Sequence, residues 1–589
     1  MDAQETPIIS KKESAADSTI QSFLKVISAE RQIFDSSGEV EQLIAVGDVK
    51  IKHDSVFMFC DSMVLEGGNV LKSKGNIILI KNDSIELFAD SLLYLKDSLM
   101  AYFVGNVVLV NGDDQLFTSF LQYDLEKDWA IYTDTALVVT NGMEIKSKRG
   151  IFHLDEDYVN FYDNVSIEGK DFNLLSDSLR YYTEINRADF LSPTIINRNG
   201  STIYSEGGFY DLDTDRADFW GNAQYKEGTN VSSADTIRND GNNNMTFLIG
   251  NAKFKDDDKR GEARQININS ESDNIELIGN AHYIDDENDV SGEFIEYNDK
   301  SQQVKVKGRS FFSRPPMLIW ADALNFDDAS GRAIADGNVV WKDTSANIEI
   351  VCDHAYYVDS ISFMKAYNDM GKPIFKNELA IDDTLFLSGD TLISYSVYEE
   401  QDTFRYFDAF ANVELYNNAM QATCDSMSYN GKDSVFLLFD QPTMWSDSSQ
   451  YNGDTIKIFM TDNEIDNVDL HKNGMILRTD DFLFYDQIKG DRIIADFIDG
   501  DIDKLLINDN SKSIYYLKDE EQAYLGVNNT ECTNMIFIFE EGELNQTRYY
   551  GEQKSKNLPM ASTDHGAIRL PGFSWMFDQR PLTLEDLKN

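Results

Sequence analysis

The sequence predicts an all-β fold made of stacked antiparallel strands, each of them bent, in a repeated unit of 29 residues. Three features lead to this prediction: a glycine-led pair at a fixed interval, an alternation of apolar and polar residues after each pair, and only 9 prolines in 589 residues. The interval is set by Gly221, Gly250, Gly279, Gly308 and Gly337. A constant period of this length is typical of repeat architectures, and scarce proline suits an uninterrupted sheet.

The first half of each unit is predicted to be a strand with one dry face. Asparagine usually follows the glycine, and both residue types tolerate the positive φ of a backbone bend. Apolar residues then occupy the second and fourth positions after the glycine, with a polar residue between them. Alternation with period two separates a dry face from a wet one. The predicted dry-face residues are Val49, Ile51, Ile77, Leu79, Val107, Leu109, Ala223, Tyr225, Ala252, Phe254, Ala281, Tyr283, Val339, Trp341, Val413 and Leu415.

The second half of each unit is marked by an acidic residue and an aromatic. Glu293 and Asp322 lie 14 residues after their glycines, and Tyr297 and Phe326 follow four residues later. The unit is therefore predicted to be two antiparallel segments joined by a turn. Segments of about 14 residues are long for strands, so we expect each to be bent or split in two.

The repeat divides the chain into four predicted regions. It can be followed from Gly47-Asp48 to Gly337-Asn338, and it loosens after residue 360. Stacking about 18 units of two strands, each strand adding about 4.8 Å, predicts an elongated solenoid of roughly 170 Å. The predicted regions are a flexible leader at 1–27, a regular repeat at 28–360, a looser continuation of the stack at 361–550, and an extended tail at 551–589.

Composition excludes several classes of function. The chain has 52 basic and 102 acidic residues, a net charge of −50. Such a charge excludes general affinity for nucleic acid and disfavours binding to an anionic membrane surface. No apolar run approaches the 18 or so residues of a membrane helix.

The sequence offers no catalytic, metal or cofactor site. The six histidines are scattered without the spacing of metal ligands, and acidic turns such as Asp256–Asp258 lack a regular calcium spacing. No nucleophile–base pair or phosphate loop stands out. Cys60, Cys352 and Cys424 share one slot of the repeat, too far apart in a stack for disulfides, so we interpret them as small buried residues. The protein is not predicted to be an enzyme, and we expect no cofactor.

Taken together in register, these motifs resemble the OstA/LptA group of lipopolysaccharide-transport proteins over about residues 28–550. The resemblance rests on the glycine-led strand, on half-repeats such as Ala89-Asp90-Ser91, and on the opening Ala29-Glu30 pair. Gln487–Arg492 and Pro571-Gly572-Phe573 resemble the long OstA-like proteins of the Bacteroidota. The chain is several times longer than the short periplasmic bridge protein of the group, and we expect it to act without the outer-membrane barrel that follows the same domain in the translocon.

The resemblance implies a β-taco or β-jellyroll, in which stacked V-shaped strands enclose an apolar trough. A parallel β-helix would also fit the period, at about half the length, and the resemblance favours the V-shaped stack. It further implies a periplasmic bridge that carries the acyl chains of lipid A from the inner to the outer membrane. The dry-face residues would line the trough. Because Met1–Glu5 has no signal-peptide character, we expect an exported chain whose signal peptide has been removed.

The resemblance also implies partners at the two ends of the stack. These are lipopolysaccharide itself, an LptC-like inner-membrane protein and an LptD-like outer-membrane protein, with end-to-end self-association as a further option. Unpaired edge strands invite another chain. The candidate docking residues are Ile33 and Phe34 near the start of the stack, and Phe573 and Trp575 in the tail. A tail folded back on the last strands is the alternative interpretation of those last two residues.

Two other functions compete with transport at the level of sequence. One is a surface or extracellular β-solenoid adhesin or scaffold with a fully packed interior. The other is a β-helical polysaccharide lyase or hydrolase, which would need basic and acidic residues stacked on one face of neighbouring repeats. The basic residues show no such stacking. An open or a filled interior separates the first two functions.

Overall fold

Strands make up almost all of the regular structure of this protein. The computed structural model describes residues 23–82, 84–380, 383–399, 402–418, 420–461, 464–498, 500–519, 521–540 and 543–588. Within these residues it contains 46 strands, six short 3-10 turns and no α-helix. The all-β prediction is therefore confirmed. Contacts divide the chain into two units, residues 1–250 and 251–589.

The first unit contains twenty strands, and a further strand crosses its boundary. Two 3-10 turns, Lys96–Ser98 and Gly241–Asn243, lie among them. The strands are β1 Lys25–Ser28, β2 Arg31–Asp35, β3 Gln42–His53, β4 Val56–Glu66, β5 Val70–Lys81, β6 Ile85–Leu95, β7 Met100–Asn111, β8 Asp114–Asp124, β9 Trp129–Tyr132, β10 Ala136–Thr140, β11 Met143–Ser147, β12 Arg149–His153, β13 Tyr158–Glu168, β14 Phe172–Tyr182, β15 Arg187–Phe190, β16 Thr194–Arg198, β17 Ser201–Ser205, β18 Gly207–Asp211, β19 Arg216–Glu227 and β20 Asn230–Asp240, with β21 Met245–Asp256 across the boundary.

The second unit contains the remaining strands. Four 3-10 turns lie among or after them: Asp359–Ile361, Met560–Ser562, Phe577–Gln579 and Asp586–Lys588. The strands are β22 Lys259–Asn269, β23 Asn274–Ile284, β24 Asp289–Asn298, β25 Gln303–Arg314, β26 Met317–Asp327, β27 Arg332–Asp343, β28 Ile348–Val358, β29 Phe363–Tyr367, β30 Ile374–Ala380, β31 Asp383–Ser388, β32 Thr391–Glu399, β33 Asp402–Tyr416, β34 Gln421–Asn430, β35 Val435–Phe439, β36 Thr443–Ser446, β37 Ser449–Asn452, β38 Thr455–Thr461, β39 Glu464–Arg478, β40 Asp486–Ile498, β41 Asp501–Asn508, β42 Ser511–Lys518, β43 Tyr524–Cys532, β44 Asn534–Glu540, β45 Glu543–Tyr550 and β46 Lys554–Pro559.

Within each unit, strands that follow one another in the chain pair antiparallel. In the first unit this holds from β3 to β8, and in the second from β22 to β28. Elsewhere a bent strand is replaced by two short ones, so that β9 and β10 both pair with β8. The predicted antiparallel stack of bent or split strands is confirmed.

The glycine-led pairs bend the strands. In β5, Gly75 and Asn76 have φ values of 80° and 44°. The register passes from Lys74↔Ser91 to Ile77↔Ala89, so the two residues oppose one residue of β6. Such a β-bulge kinks the strand on which it sits. Because the bulge lies in the middle of a strand of 12 residues, each strand becomes a V with a central corner.

The acidic residue of the second half-repeat belongs to the same corner. The Nδ2 of Asn76 donates to both carboxylate oxygens of Asp61, at 3.1 and 3.0 Å. A Cβ on Gly75 would lie 2.3 Å from Oδ2 of Asp61, so the carboxylate occupies the space that a side chain would need. Asn338 and Asp322 repeat the contact in the second unit, at 2.6 Å. The glycine, the asparagine and the acidic residue thus form the corner of the bent strands together.

The inner face of the bent strands forms the core. Side chains alternate between buried and half-exposed along β5 and β6, as a dry face on a strand requires. The core of the first unit includes large rings with no exposed surface, among them Tyr94, Phe103, Tyr123 and Phe161. Cys60, Cys352 and Cys424 are free thiols; the first two are buried and the third is partly buried.

The C-terminal arm, residues 560–588, folds onto the second unit. Ahead of it, β46 pairs with β43, so the predicted tail begins with a strand. Leu570 is buried in a cluster with Met475, Leu477 and Tyr516, against which Trp575 also packs. At the other end of the chain, residues 1–22 of the predicted leader lie outside the described residues, and Lys25–Ser28 forms β1.

Candidate functional site

The predicted dry-face residues lie on the inner face of the bent strands. All sixteen are buried except Tyr225, which is half-exposed. Leu79, Leu109, Ala223, Tyr283 and Val339 have no exposed surface. The sequence pattern therefore located the inner face correctly. Burial does not distinguish a lipid path from a filled core, so their role in lining a trough stays a prediction.

The two free ends of each V form two rims. We call the turns that follow the dry-face residues the first rim, which includes residues 54–55, 315–316 and 344–347. The turns at the other end of the strands, such as 125–128 and 328–331, form the second rim. Within each unit, side chains of the first rim reach residues of the second rim and close the V. We call these contacts latches.

Among the described residues, four latches illustrate how the mouth of the first unit is closed. His53 Nδ1 lies 2.7 Å from the Tyr94 hydroxyl. Lys81 Nζ donates to the Leu125 carbonyl at 2.8 Å and also binds the Asp128 carboxylate. The other two latches are Asn141 Nδ2 with the Tyr181 hydroxyl at 3.3 Å, and Arg198 Nη1 with the Tyr210 hydroxyl at 2.6 Å and Asp215 at 3.2 Å.

The latch at Lys81 is a buried ion pair. The side chains of Lys81 and Asp128 are 10% and 11% exposed. The Tyr123 hydroxyl donates to the same carboxylate at 2.5 Å, and burial together with Asp128 raises the pKa of Tyr123, which keeps the phenol protonated. Breaking a buried pair by removing one partner costs about 3–5 kcal/mol. The first unit is therefore held shut here.

Latches also join the two rims of the second unit. Lys259 binds Asp299, which also accepts a hydrogen bond from the Tyr297 hydroxyl at 2.8 Å. Arg314 binds Asp328 across the mouth and Glu287 on its own rim. The next cross-rim pair joins Asp343 to Arg405, at 2.6 Å. Burial opposes ionisation of Asp343, but hydrogen bonds from Ser345 and Arg405 lower its pKa.

Between Arg314 and Arg405 the mouth of the second unit widens into a cavity of about 750 Å³. We call it the mouth cavity. Its wall is polar, and its floor carries Trp341 and Tyr357, whose ring centroids are 6.0 Å apart. The lining residues are Asp286, Glu287, Arg314, Pro315, Pro316, Met317, Asp328, Trp341, Asp343, Ser345, Tyr357, Asp359, Ser362, Ser394, Ser396, Thr403 and Arg405.

A second cavity of about 390 Å³ lies in the apolar interior of the second unit. We call it the inner cavity. Arg405 lines both cavities, so the two adjoin. The lining residues of the inner cavity are Ile348, Phe375, Asn377, Leu385, Leu387, Arg405, Phe407, Asn417, Met420, Met427, Tyr429, Ser434, Phe436 and Met460.

Three buried glutamines hold the C-terminal arm. Gln421, Gln450 and Gln487 are at most 2% exposed. The last two bind the arm as a neighbouring strand would, because each amide both donates to a backbone carbonyl and accepts from a backbone N–H. The contacts are Gln487 with the Ile568 carbonyl at 3.2 Å and the Leu570 N–H at 2.8 Å, Gln450 with the Ser574 carbonyl and the Met576 N–H at 2.7 Å each, and Gln421 with the Arg580 guanidinium.

The candidate docking residues lie at opposite ends of the chain in different surroundings. Phe34 is 64% exposed and Ile33 38%, on β2, which pairs with β3. Trp575 packs against Phe577 in a stacked pair and against Tyr485 edge-on, and Phe573 also contacts Tyr485. The arm is thus docked on its own chain. A role of these residues toward a partner stays a prediction.

The latches were not identified from the sequence, although the sequence carries a signal for those at His53, Lys81, Arg314 and Asp343. The dry-face positions are the second, fourth and sixth after each repeat glycine. At the sixth position the residue is polar instead of apolar. Such a residue at the last inward position of a strand has to find a partner or reach water. The residues in this slot are His53, Lys81, Asn111, Glu227, Asp256, Asp285, Arg314 and Asp343.

Comparison with known proteins supports the sequence resemblance. Residues 24–177 match the family described as OstA-like protein, and residues 250–303 match the family of the LptA or LptD N-terminal domain, described as an LPS transport protein. No curated protein matches the chain. Over these residues the chain is thus similar to OstA-like and LptA or LptD N-terminal proteins, and the second of these families is described as a transport protein.

The chain also matches a solved structure. It is LptH, described as the LptA homologous periplasmic component of the lipopolysaccharide transport device of Pseudomonas aeruginosa. The match has 14% identity and a TM-score of 0.15, and it covers 26% of this chain and 80% of LptH. In the described residues, no helix is long and apolar enough to span a membrane, and no group of three or more His, Cys, Asp or Glu is placed to hold a metal ion.

Proposed function

We propose that the protein is a periplasmic bridge for lipopolysaccharide, which holds the acyl chains of lipid A in the apolar interior while the saccharide stays at the mouth. The observation that carries this proposal is the division between an apolar inner face and polar rims. Acyl chains gain about 25 cal/mol for each Å² of apolar surface that leaves water. Head groups need polar neighbours, which the rims supply.

The latches give the bridge a way to open and close. A V that is held shut by polar contacts can open without separating its strands, because its corner is fixed by the bulge and the Asn–Asp contact. Acyl chains entering the interior would replace the packing of the inner side chains on one another. The inner cavity of the second unit, with Leu387 and Phe407 in its wall, is the place where such chains need the least rearrangement.

Docking at the ends follows from the edge strands. β1 and β2 both pair with β3, and exposed apolar side chains lie on or next to these strands, with Phe23 at 70% and Phe34 at 64%. An added strand would cover these side chains and satisfy free backbone groups. We propose that an LptC-like protein, an LptD-like protein or a second copy docks by strand addition, and that the arm carrying Phe573 and Trp575 takes part at the other end.

A binding experiment with purified full-length protein tests the proposal. Phe407→Asp places a charge in the inner cavity, which disfavours acyl chains by several kcal/mol if the charge is unpaired. Phe410→Asp on the same strand is the matched control, because Phe410 is 44% exposed on the outer face. We expect lipopolysaccharide to co-elute with the wild type and the control but not with Phe407→Asp. Equal co-elution of both variants, with both folded, contradicts an interior path.

A scaffold with a filled interior is the second candidate function. The observation that favours it is the closure of the first unit, where Lys81 and Asp128 seal rings such as Tyr123 from solvent. On this view the first unit is sealed at Lys81 and Asp128, whereas the inner cavity lies in the second unit. Lack of lipopolysaccharide binding to the wild type would favour the scaffold.

A further inference from the structure

We propose that the mouth cavity of the second unit is a built binding site for the hydroxyl-rich head group of a saccharide-headed amphiphile, whose chain enters the adjoining inner cavity. The inference rests on the proposed function, which it makes specific to one site and one head-group chemistry. Pockets of this size, with an apolar part and a few convergent polar groups, are typical of ligand sites.

Two buried donors in the cavity wall point to a ligand. Trp341 is 5% exposed. Neither its Nε1 nor Nη1 of Arg405 has a hydrogen-bond partner among the residues that the structure describes. Both residues line the mouth cavity. The other terminal nitrogen of Arg405 binds Asp343, so the guanidinium is fixed with one donor left over. Buried polar groups normally have partners, and an acceptor oxygen of a ligand would supply them here.

The charge of the wall selects the head group. Five carboxylates line the cavity against two guanidinium groups, a formal charge of 2 − 5 = −3. Such a wall repels a bare phosphate. It suits hydroxyl groups, which donate to carboxylates and accept from Arg314, Arg405 and Trp341. Serine and threonine hydroxyls, such as those of Ser394 and Thr403, add both kinds of group.

The aromatic residues of the mouth cavity and the adjoining inner cavity indicate where the rest of the ligand lies. Trp341 and Tyr357 offer aromatic surface next to the polar wall, and rings of this kind combine an apolar body with a polar handle. Arg405 lines both cavities and therefore marks the boundary between head group and chain. The ligand is thus a single-chain or multi-chain amphiphile with a saccharide head at the mouth.

The probes for this inference are dodecyl maltoside below its micelle concentration, maltose and dodecyl phosphate. Binding to the purified full-length chain is measured by calorimetry. We expect dodecyl maltoside to bind saturably and at least tenfold more tightly than either of the other two. Dodecyl phosphate binding as tightly as the maltoside overturns the head-group assignment, and lack of saturable maltoside binding overturns the site.

Two conservative variants locate the bound head group. Trp341→Phe keeps an aromatic ring and removes the free N–H, and Arg405→Lys keeps the charge toward Asp343 and removes the extra donor. We expect each to weaken maltoside binding about three- to tenfold, as for one lost hydrogen bond. Trp320→Phe is the control, because Trp320 packs against Phe311 outside both cavities. Unchanged affinity in both Trp341→Phe and Arg405→Lys contradicts the inference.

The outcomes separate this inference from the proposed function. If lipopolysaccharide binds in the Phe407 experiment but the maltoside does not bind, only the mouth site is wrong. If neither binds, the transport function is wrong as well. The unfolding temperature of each variant without ligand shows whether the fold is kept, and the loss of its ligand-induced rise is a second readout of binding.

Discussion

Each of the two units has an apolar inner face, and the units differ at the mouth. In the first unit the rims are joined by Lys81 and Asp128 over a core that includes Tyr123. In the second unit, Arg314 and Arg405 border a cavity of about 750 Å³, with a further 390 Å³ behind it. The comparison shows that the dry-face pattern forms an interior, whereas a few polar residues at the rims decide whether that interior is accessible.

The largest expected effect comes from breaking the closed mouth. Lys81→Ala leaves the carboxylate of Asp128 buried without its cation, and we expect the first unit to lose about 3–5 kcal/mol of unfolding free energy. Urea denaturation followed by hydrogen exchange in residues 70–130 measures the loss. The double variant Lys81→Met with Asp128→Asn should recover part of it, because asparagine is uncharged, tolerates the φ of 53° at this position and still accepts from the Tyr123 hydroxyl.

A matched control for this variant is the exposed pair of Lys146 and Glu168, with side chains 43% and 56% exposed. Lys146→Ala should cost less than about 1 kcal/mol. A loss at Lys81 no larger than the loss at Lys146 would mean that the first unit is not held shut by its buried pair.

A second prediction compares the same truncation in the two interiors. Leu79 has no exposed surface, whereas Leu387, 1% exposed, lines the inner cavity. Leu79→Ala should cost about 3–5 kcal/mol of unfolding free energy, and Leu387→Ala only about 2 kcal/mol, because its side chain already lacks neighbours on one side. Denaturation of the two variants measures both. Equal losses would indicate that the second interior is as well packed as the first.

A third prediction concerns pH and the second unit. Burial raises the pKa of Asp486 to about 7, whereas an aspartate in the unfolded chain has a pKa of about 3.9. Between these values the folded state holds a proton that the unfolded state has lost, so this residue makes stability fall as pH rises from about 4 to 7. Asp486 Oδ1 accepts from the Tyr516 N–H at 2.7 Å, and an asparagine keeps that contact.

Asp486→Asn should therefore match the wild type near pH 4 and exceed its stability at pH 8, by roughly 1–3 kcal/mol. Unfolding free energies at the two pH values give the result. A variant that gains nothing between pH 4 and pH 8 would show that Asp486 is ionised normally in the folded protein.

The smallest expected effect concerns the arm. Gln450→Met fills the same space but cannot bind the Ser574 carbonyl or the Met576 N–H, and we expect the arm contact to weaken by about 1–2 kcal/mol. Hydrogen exchange at residues 574–577 should speed up, while exchange in β22 to β28 stays unchanged. Gln546→Met is the control, because Gln546 lies on β45 and takes no part in the arm contacts described above. An arm that exchanges as slowly as in the wild type would contradict the glutamine clasp.

Much of this fold follows from the sequence because its determinants are local. The bulge needs two neighbouring residues with positive φ. Glycine and asparagine both tolerate positive φ, so the pair Gly75-Asn76 can be recognised from the sequence alone. The alternation that placed Leu79 and Val339 inside is also local. Each repeat then supports the next, which is why the sixteen predicted dry-face residues lie inside, with only Tyr225 half-exposed.

The latches and cavities are formed by residues that are far apart in the sequence, so the 29-residue repeat could not predict them. Lys81 and Asp128 are 47 residues apart, and Asp343 and Arg405 are 62 apart. The residues near Lys81 in the sequence do not indicate which residue of the second rim it contacts. The arm is a similar case, since Gln450 and Met576 are 126 residues apart. Partner choice across a stack is set by geometry that a single repeat does not contain.

We propose that acyl chains travel along the inner face, and photo-crosslinking in living cells tests this proposal most directly. A photoreactive phenylalanine is placed at Leu79 and Leu387 on the inner face, and at their outward neighbours Ile78 and Phe386 as controls. We predict lipopolysaccharide adducts at Leu79 and Leu387 and none at Ile78 or Phe386. Adducts at the outward positions alone, or at none of the four positions while the variants are stably folded, would contradict the claim.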